Sequence, residues 1–169
     1  MDEAVTRMTE GLRKAMQAEH EGRHFYLMAA QTTQDNQGRD TFQRLADEEL
    51  DHYNFLKAQY SALNETGKID PQVKLGPKKF TGEHPIFSPE LKQRIGGAHY
   101  EMTALSIGIQ LELSAVQFYR AEAEAASDPN VTAFYEELAT WELGHLNALQ
   151  KEVDALKEDY WHEAKFEPF

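Results

Sequence analysis

Leu45-Ala46-Asp47-Glu48-Glu49-Leu50-Asp51-His52 decides how this chain reads, because it returns as Leu138-Ala139-Thr140-Trp141-Glu142-Leu143-Gly144-His145. Each copy holds a Glu three residues before a His: Glu49-x-x-His52 and Glu142-x-x-His145. On an α-helix, positions i and i+3 share a face, so a carboxylate and an imidazole reach one common point. That pairing is half of a metal site. The motif alone is weak, since Glu21-x-x-His24 also fits it. What separates the two copies is their setting in an apolar stripe at helical spacing. One stripe runs Phe42, Leu45, Glu49, His52, Leu56, Tyr60, Leu63; the other runs Tyr135, Leu138, Glu142, His145, Leu149, Val153, Leu156. Glu48, Asp51 and Lys57 fall beside the first stripe and are expected on a solvated face.

The two copies are 93 residues apart, and the same offset joins Leu12 to Leu105, Glu19 to Glu112, Phe25-Tyr26 to Phe118-Tyr119, Asp35 to Asp128 and Asn54 to Asn147. The chain is therefore one helical hairpin written twice. Helices are expected over about 2–32, 39–64, 99–126 and 129–157. Turns fall at Asp35-Asn36-Gln37-Gly38 and Ser127-Asp128-Pro129-Asn130, where Asp128 is a good N-cap with Pro129 at the first helical position, and Gly67 closes the second helix. Ser88-Pro89-Glu90 starts a short helix, with Ser88 as its cap, ending near Gly96-Gly97. The first and third helices carry stripes of their own, Leu12, Met16, Glu19, Tyr26, Ala30 and Leu105, Ile109, Glu112, Val116, Tyr119, Ala123. No segment alternates like a strand.

Glu65 to Pro89 differs in character, with four prolines and four lysines. Extended at ~3.3 Å per residue, it reaches ~80 Å, well beyond the ~45 Å of a 30-residue helix. An up-down connection needs only a short loop. The expectation is an all-α four-helix bundle of two repeated hairpins with a long crossover between the second and third helices. The single domain divides as hairpin 2–66, crossover 67–88, hairpin 89–158 and an aromatic C-terminal tail 159–169.

The midpoint of Glu19 and Glu49 is position 34, the first turn; that of Glu112 and Glu142 is position 127, the second turn. Residues equidistant from a hairpin turn lie level with one another. Stacking the hairpins thus brings Glu19, Glu49, His52, Glu112, Glu142 and His145 into one layer of the core. Buried carboxylates are costly without compensation, yet the stripes around them hold no Lys or Arg. Two divalent ions would supply the missing charge. Oxygen-rich ligation with one imidazole per ion suits Fe or Mn, while structural Zn prefers thiolate and histidine.

Composition narrows the classes. With 29 acidic and 17 basic residues the formal charge is −12, which argues against a nucleic-acid partner. The absence of cysteine excludes disulfides, thiol nucleophiles and Fe–S clusters. No stretch has the roughly 20 apolar residues of a membrane span, and the polar start does not read as a secretory signal. A cytoplasmic location is expected.

One Glu from each of two helices and Glu-x-x-His from each of the other two is the pattern of the ferritin-like di-iron carboxylate superfamily. In order and spacing, residues 10–157 resemble the erythrin domain of the rubrerythrins. The resemblance implies two Fe ions, with Mn or Zn as substitutes, bridged by Glu49 and Glu142. Glu19, Glu112, His52 and His145 would be terminal ligands. Two departures stand out. Rubrerythrins usually carry a four-cysteine rubredoxin-like site, absent here, so an external donor such as a rubredoxin-like protein is implied. They also usually have a further Glu three residues after the third-helix ligand; here that place is Ala115, and its repeat partner is Gly22. Two small residues there leave room for a small oxidant, or serve ordinary helix contact.

The activity implied is that of a non-haem di-iron oxidoreductase of oxidative-stress type, reducing hydrogen peroxide, or O2 with oxidation of Fe(II). The alternatives are an iron-binding or iron-handling protein without turnover, and a bundle that kept only the fold. No catalytic residue is needed beyond the ligands. Tyr26 and Tyr119, two turns after Glu19 and Glu112, either bond the bridging carboxylates in support of the metals or are core aromatics. His20, His24, His99 and His162 are expected at the surface or in loops. The tail from Tyr160 is expected to pack on its own bundle, and a homodimer is a further expectation.

Overall fold

A computed structural model describes residues 3–165. Four long helices form the bundle: α1 (Glu3–Thr32), α2 (Asn36–Thr66), α4 (His99–Ala125) and α5 (Pro129–Glu163). A short helix, α3 (Pro89–Gln93), and a 3-10 turn (Ile95–Gly97) precede α4, and no strand occurs among the described residues. The all-α bundle of paired hairpins expected from the repeat is what the chain forms.

The ends of the helices follow local chemistry. Asp35 caps α2 by accepting from the Gly38 N–H at 2.8 Å, which starts the helix three residues earlier than expected. Gly67 closes it with φ 74°, a left-handed position that glycine takes without strain, and returns its N–H to Leu63 O. Asp128 caps α5, with Pro129 at its first turn. Ser88 precedes α3 but makes no side-chain cap; its hydroxyl donates to Asp35 instead. α5 continues six residues past the expected Lys157, because its last turn has partners. Tyr160 Oη sits 2.7 Å from His99 Nδ1, and Gly96 lets the 3-10 turn approach so closely that a Cβ there would lie 3.2 Å from Glu163 Cβ. The rest of the predicted aromatic tail, residues 166–169, lies outside the described residues.

The chain direction is up, down, down, up. The α1–α4 pair is antiparallel, with Arg7 facing Glu122 at one end and the Tyr100 hydroxyl reaching Met28 O toward the other. The crossover runs the length of the bundle on the α2–α5 side. It is held by side chains of the helices, since an extended strap has no ladder for its own N–H groups. Gln59 donates to Asp70 O and accepts from Asp70 N–H, both at 2.8 Å. Glu152 accepts from Ile86 and Phe87 N–H, each at 3.1 Å, and Asp35 accepts from Ser88 N–H at 3.0 Å.

The core is in two apolar halves. One gathers Tyr26, Phe42, Leu45, Leu105, Leu149 and Leu156 with the α3 region; the other gathers Leu12, Phe55, Leu56, Leu63, Phe134 and Leu138. Between them lies the polar layer. Among the described residues, no helix is long and apolar enough to cross a membrane.

Candidate metal centre

Six side chains from four helices meet in the polar layer: Glu19 of α1, Glu49 and His52 of α2, Glu112 of α4, Glu142 and His145 of α5. None is more than 4% exposed. They form two groups whose donor atoms lie within 4.8 Å of one another: Glu19, Glu49, His52, Glu142, and Glu49, Glu112, Glu142, His145. Glu49 and Glu142 belong to both groups. Each offers one oxygen to either side. Glu142 Oε1 is 2.7 Å from His52 Nδ1 and its Oε2 is 3.2 Å from His145 Nδ1; for Glu49 the corresponding distances are 3.8 and 3.6 Å. Glu19 Oε2 completes the first group at 3.4 Å from His52 Nδ1, and Glu112 Oε1 the second at 3.4 Å from His145 Nδ1.

These atoms converge without being aimed at one another. Nδ1 of both histidines and both Glu142 oxygens are buried and have no aligned hydrogen-bond partner. Orphaned buried polar atoms are rare and costly. Here they are anionic oxygens and imidazole nitrogens facing a common centre, a donor set that fits two divalent cations with Glu49 and Glu142 between them.

The electrostatics show the strain of the layer when only protons balance it. Burial, together with the neighbouring carboxylates, pushes Glu49 well above the usual carboxylate range. Burial likewise raises Glu112, to about 8. For Glu142 burial acts upward too, but the charges of His52 and His145 outweigh it and hold the carboxyl well below its usual value. Both histidines are raised: burial opposes their charge, and the carboxylates, Glu142 at His52 and Glu112 at His145, overcome it.

A family model for rubrerythrin matches residues 10–105, more than half of the chain. The chain belongs to the rubrerythrin family. No curated protein and no solved structure gave a match. The match carries Glu19, Glu49 and His52, and ends before Glu112. The second half of the polar layer therefore rests on the internal repeat and on the geometry above. Rubrerythrins typically bind two irons, and this cluster is able to hold metal.

Two expectations need correction. Glu48 is not on a solvated face: it is 0% exposed. Its Oε1 accepts from the Lys79 N–H and, at 2.7 Å, from the Phe80 N–H, while its Oε2 lies 2.6 Å from His145 Nε2. These bonds outweigh burial and lower its pKa. The helical wheel placed it correctly beside the stripe; the crossover then covers that flank. Asp51, half-buried, pairs with Lys79 Nζ at 2.6 Å under the same strap, and only Lys57 of the three is exposed.

The tyrosines also differ from expectation. Tyr26 donates to Glu112 and Tyr119 to Glu19, so they bond the two carboxylates that belong to one group each, across the α1–α4 pair, and not Glu49 or Glu142. The reason is register. A Tyr two turns beyond its own Glu is level with the Glu of the antiparallel neighbour. Burial and these carboxylates raise both phenols well above their usual value, so they remain donors. His20, His24, His99 and His162 are exposed, as expected.

Proposed function

We propose that the chain is a non-haem di-iron oxidoreductase that reduces hydrogen peroxide, or O2 with oxidation of Fe(II), at Glu19, Glu49, His52, Glu112, Glu142 and His145. The observation that carries this is the pair of donor groups sharing Glu49 and Glu142 around orphaned buried atoms. Two ferrous ions bound there would supply one electron each, the two that turn hydrogen peroxide and two protons into two waters.

The chain's own residues do the rest. Glu49 and Glu142 would hold both ions, each through two oxygens. Tyr26 and Tyr119 fix the rotamers of Glu112 and Glu19. Glu48 accepts the Nε2 proton of His145 and so leaves Nδ1, which faces the cluster, as the free nitrogen. The apolar halves above and below exclude bulk water. A cavity of about 30 Å³ lies against Glu48 and His145 on the crossover side of the layer, walled by Lys78, Phe80 and Trp141. These 169 residues hold no cysteine for a rubredoxin-like iron site, so electrons would reach the cluster from outside this domain.

A second reading, iron handling without turnover, is favoured by Ala115, which stands where rubrerythrins usually have a further Glu. Anaerobic titration of the metal-free protein with Fe(II), then mixing with peroxide or with O2, separates the readings. About two irons per chain and fast oxidation by peroxide are expected. Two irons that oxidise slowly with both oxidants and pass quickly to a chelator would favour handling. Absence of stoichiometric binding would overturn the di-iron centre.

A further inference from the structure

Outside the polar layer, His20 and His24 form the other convergence of imidazoles in the described chain. They are four residues apart on α1, so one lies above the other on the same flank. Their Nε2 atoms are 3.2 Å apart in a hydrogen bond in which one ring donates to the other, and the rings are tilted by 31° with centroids 4.4 Å apart. Two imidazole nitrogens bound to one ion at about 2.1 Å each, and separated by 3.2 Å, subtend about 100° at the metal, between octahedral and tetrahedral. To chelate, the pair gives up the proton shared between the two nitrogens and turns both lone pairs to the ion.

We propose that His20 and His24 form a surface site for a divalent first-row transition ion, independent of the buried cluster. Both rings are exposed, in an open groove between α1 and α2 with Gln17, Glu21 and Tyr53. The fold does not demand them. At the matching positions of the second hairpin stand Leu113 and Gln117, and the same helix packing is achieved without imidazoles. The chain's charge of −12 favours a cation at any exposed ligand pair.

His20-Glu21-Gly22-Arg23-His24 also has the spacing of the His-Glu-x-x-His zinc hydrolases. Hydrolysis is not what this site would do. Such a centre needs a third protein ligand, and no third His, Asp or Glu joins the pair within 4.8 Å among the described residues. Glu21 is engaged by Gln17 Nε2 at 2.9 Å. What remains is a two-imidazole chelate completed by water. It is selective for ions that favour nitrogen, such as Ni²⁺, Cu²⁺ or Zn²⁺, over Mg²⁺ or Ca²⁺, and open enough to exchange them.

The test is a Ni²⁺ titration at pH 7.5 of the full chain and of the His20→Ala/His24→Ala variant, read by calorimetry and by equilibrium dialysis. The difference isolates this site whatever the buried cluster takes up. Wild type is expected to bind one more Ni²⁺ per chain than the variant. His20→Ala alone should weaken that ion at least tenfold, through loss of the chelate. Both residues are exposed, so a thermal melt of the variant should match wild type. Equal Ni²⁺ uptake by the two chains would overturn the site, and so would a single-histidine variant that binds as tightly as wild type.

Discussion

The two halves of the polar layer have the same ligand types and different surroundings. His145 holds its Nε2 against Glu48 at 2.6 Å, and Phe80 lies edge-on to its ring. His52 has no hydrogen-bond partner at Nε2 and rests against Trp141, with ring centroids 5.3 Å apart. Trp141 is the repeat counterpart of Glu48. The asymmetry comes from the crossover, which occurs once. Lys79 and Phe80 present their N–H groups to α2, which selects a carboxylate at position 48; Lys78 stands over the Trp141 ring at 5.1 Å. A repeated hairpin supplies a two-fold set of carboxylates and imidazoles, and the unrepeated strap makes the two halves of the layer unequal.

Replacing a residue common to both halves should erase the comparison altogether. Glu142→Ala removes the carboxylate nearest to Nδ1 of both histidines, and metal content should fall from about two ions per chain to below one, with oxidation by peroxide down more than about 100-fold. Metal analysis and stopped-flow absorbance read this. An unchanged metal content would mean that the layer is not the metal centre.

Next in size is the effect of having no metal. Glu49 and Glu112 have raised values, Glu112 about 8 against 4.5, so the folded chain keeps protons that the unfolded chain releases. The stability each contributes is complete below pH 4.5 and lost as pH rises through its raised value, which for Glu112 is about 8. His52 and His145, also raised, act in the same direction, losing theirs above 6.5. Glu142, lowered, has the opposite sign, and its contribution is lost only as pH falls below 4.5. Metal-free protein should therefore melt about 5–10 °C lower at pH 8.5 than at pH 6, at a few degrees per kcal/mol. Metal-loaded protein should show much less change, since cations replace the protons.

The sharpest test of the asymmetry is Glu48→Gln. The backbone N–H groups of Lys79 and Phe80 require an oxygen, which turns the amide NH₂ toward His145. His145 Nε2 must then accept, and the proton moves to Nδ1, where a metal should bind. One of the two ions should lose about 10–100-fold in affinity, and the titration should become two-phased. Trp141→Phe, in the equivalent place, should stay within about threefold of wild type. Equal losses in the two variants would refute the inequality of the halves.

What was legible in the sequence and what was not follow the same division. The six cluster residues could be read because the repeat and two hairpin midpoints fix their height, and helical periodicity fixes their face. Glu48 could not, because its burial depends on where an irregular, proline-rich segment is laid down, and no periodicity encodes that. Its only trace was a demand: an extended strap must find acceptors for its N–H groups, and Glu48, Gln59 and Glu152 supply them. The tyrosine partners were missed for a related reason. They depend on the register between α1 and α4, which are not joined by a hairpin.

The smallest expected effect is a check on that register. Tyr26 and Tyr119 are repeat counterparts, both fully buried, and each donates to a carboxylate of the other hairpin. No part of the crossover need distinguish them. Tyr26→Phe and Tyr119→Phe each remove one hydroxyl and leave the ring, which should cost about 1–3 kcal/mol of stability for a bond to a charged acceptor. Each should slow oxidation only a few-fold, through a looser Glu112 or Glu19. The informative quantity is the ratio of the two variants. A ratio near one, beside a large difference between Glu48→Gln and Trp141→Phe, would place the inequality on the histidine side of the layer, under the strap. A ratio above about ten would mean that the two halves differ on the carboxylate side as well, and that the crossover is not the whole cause.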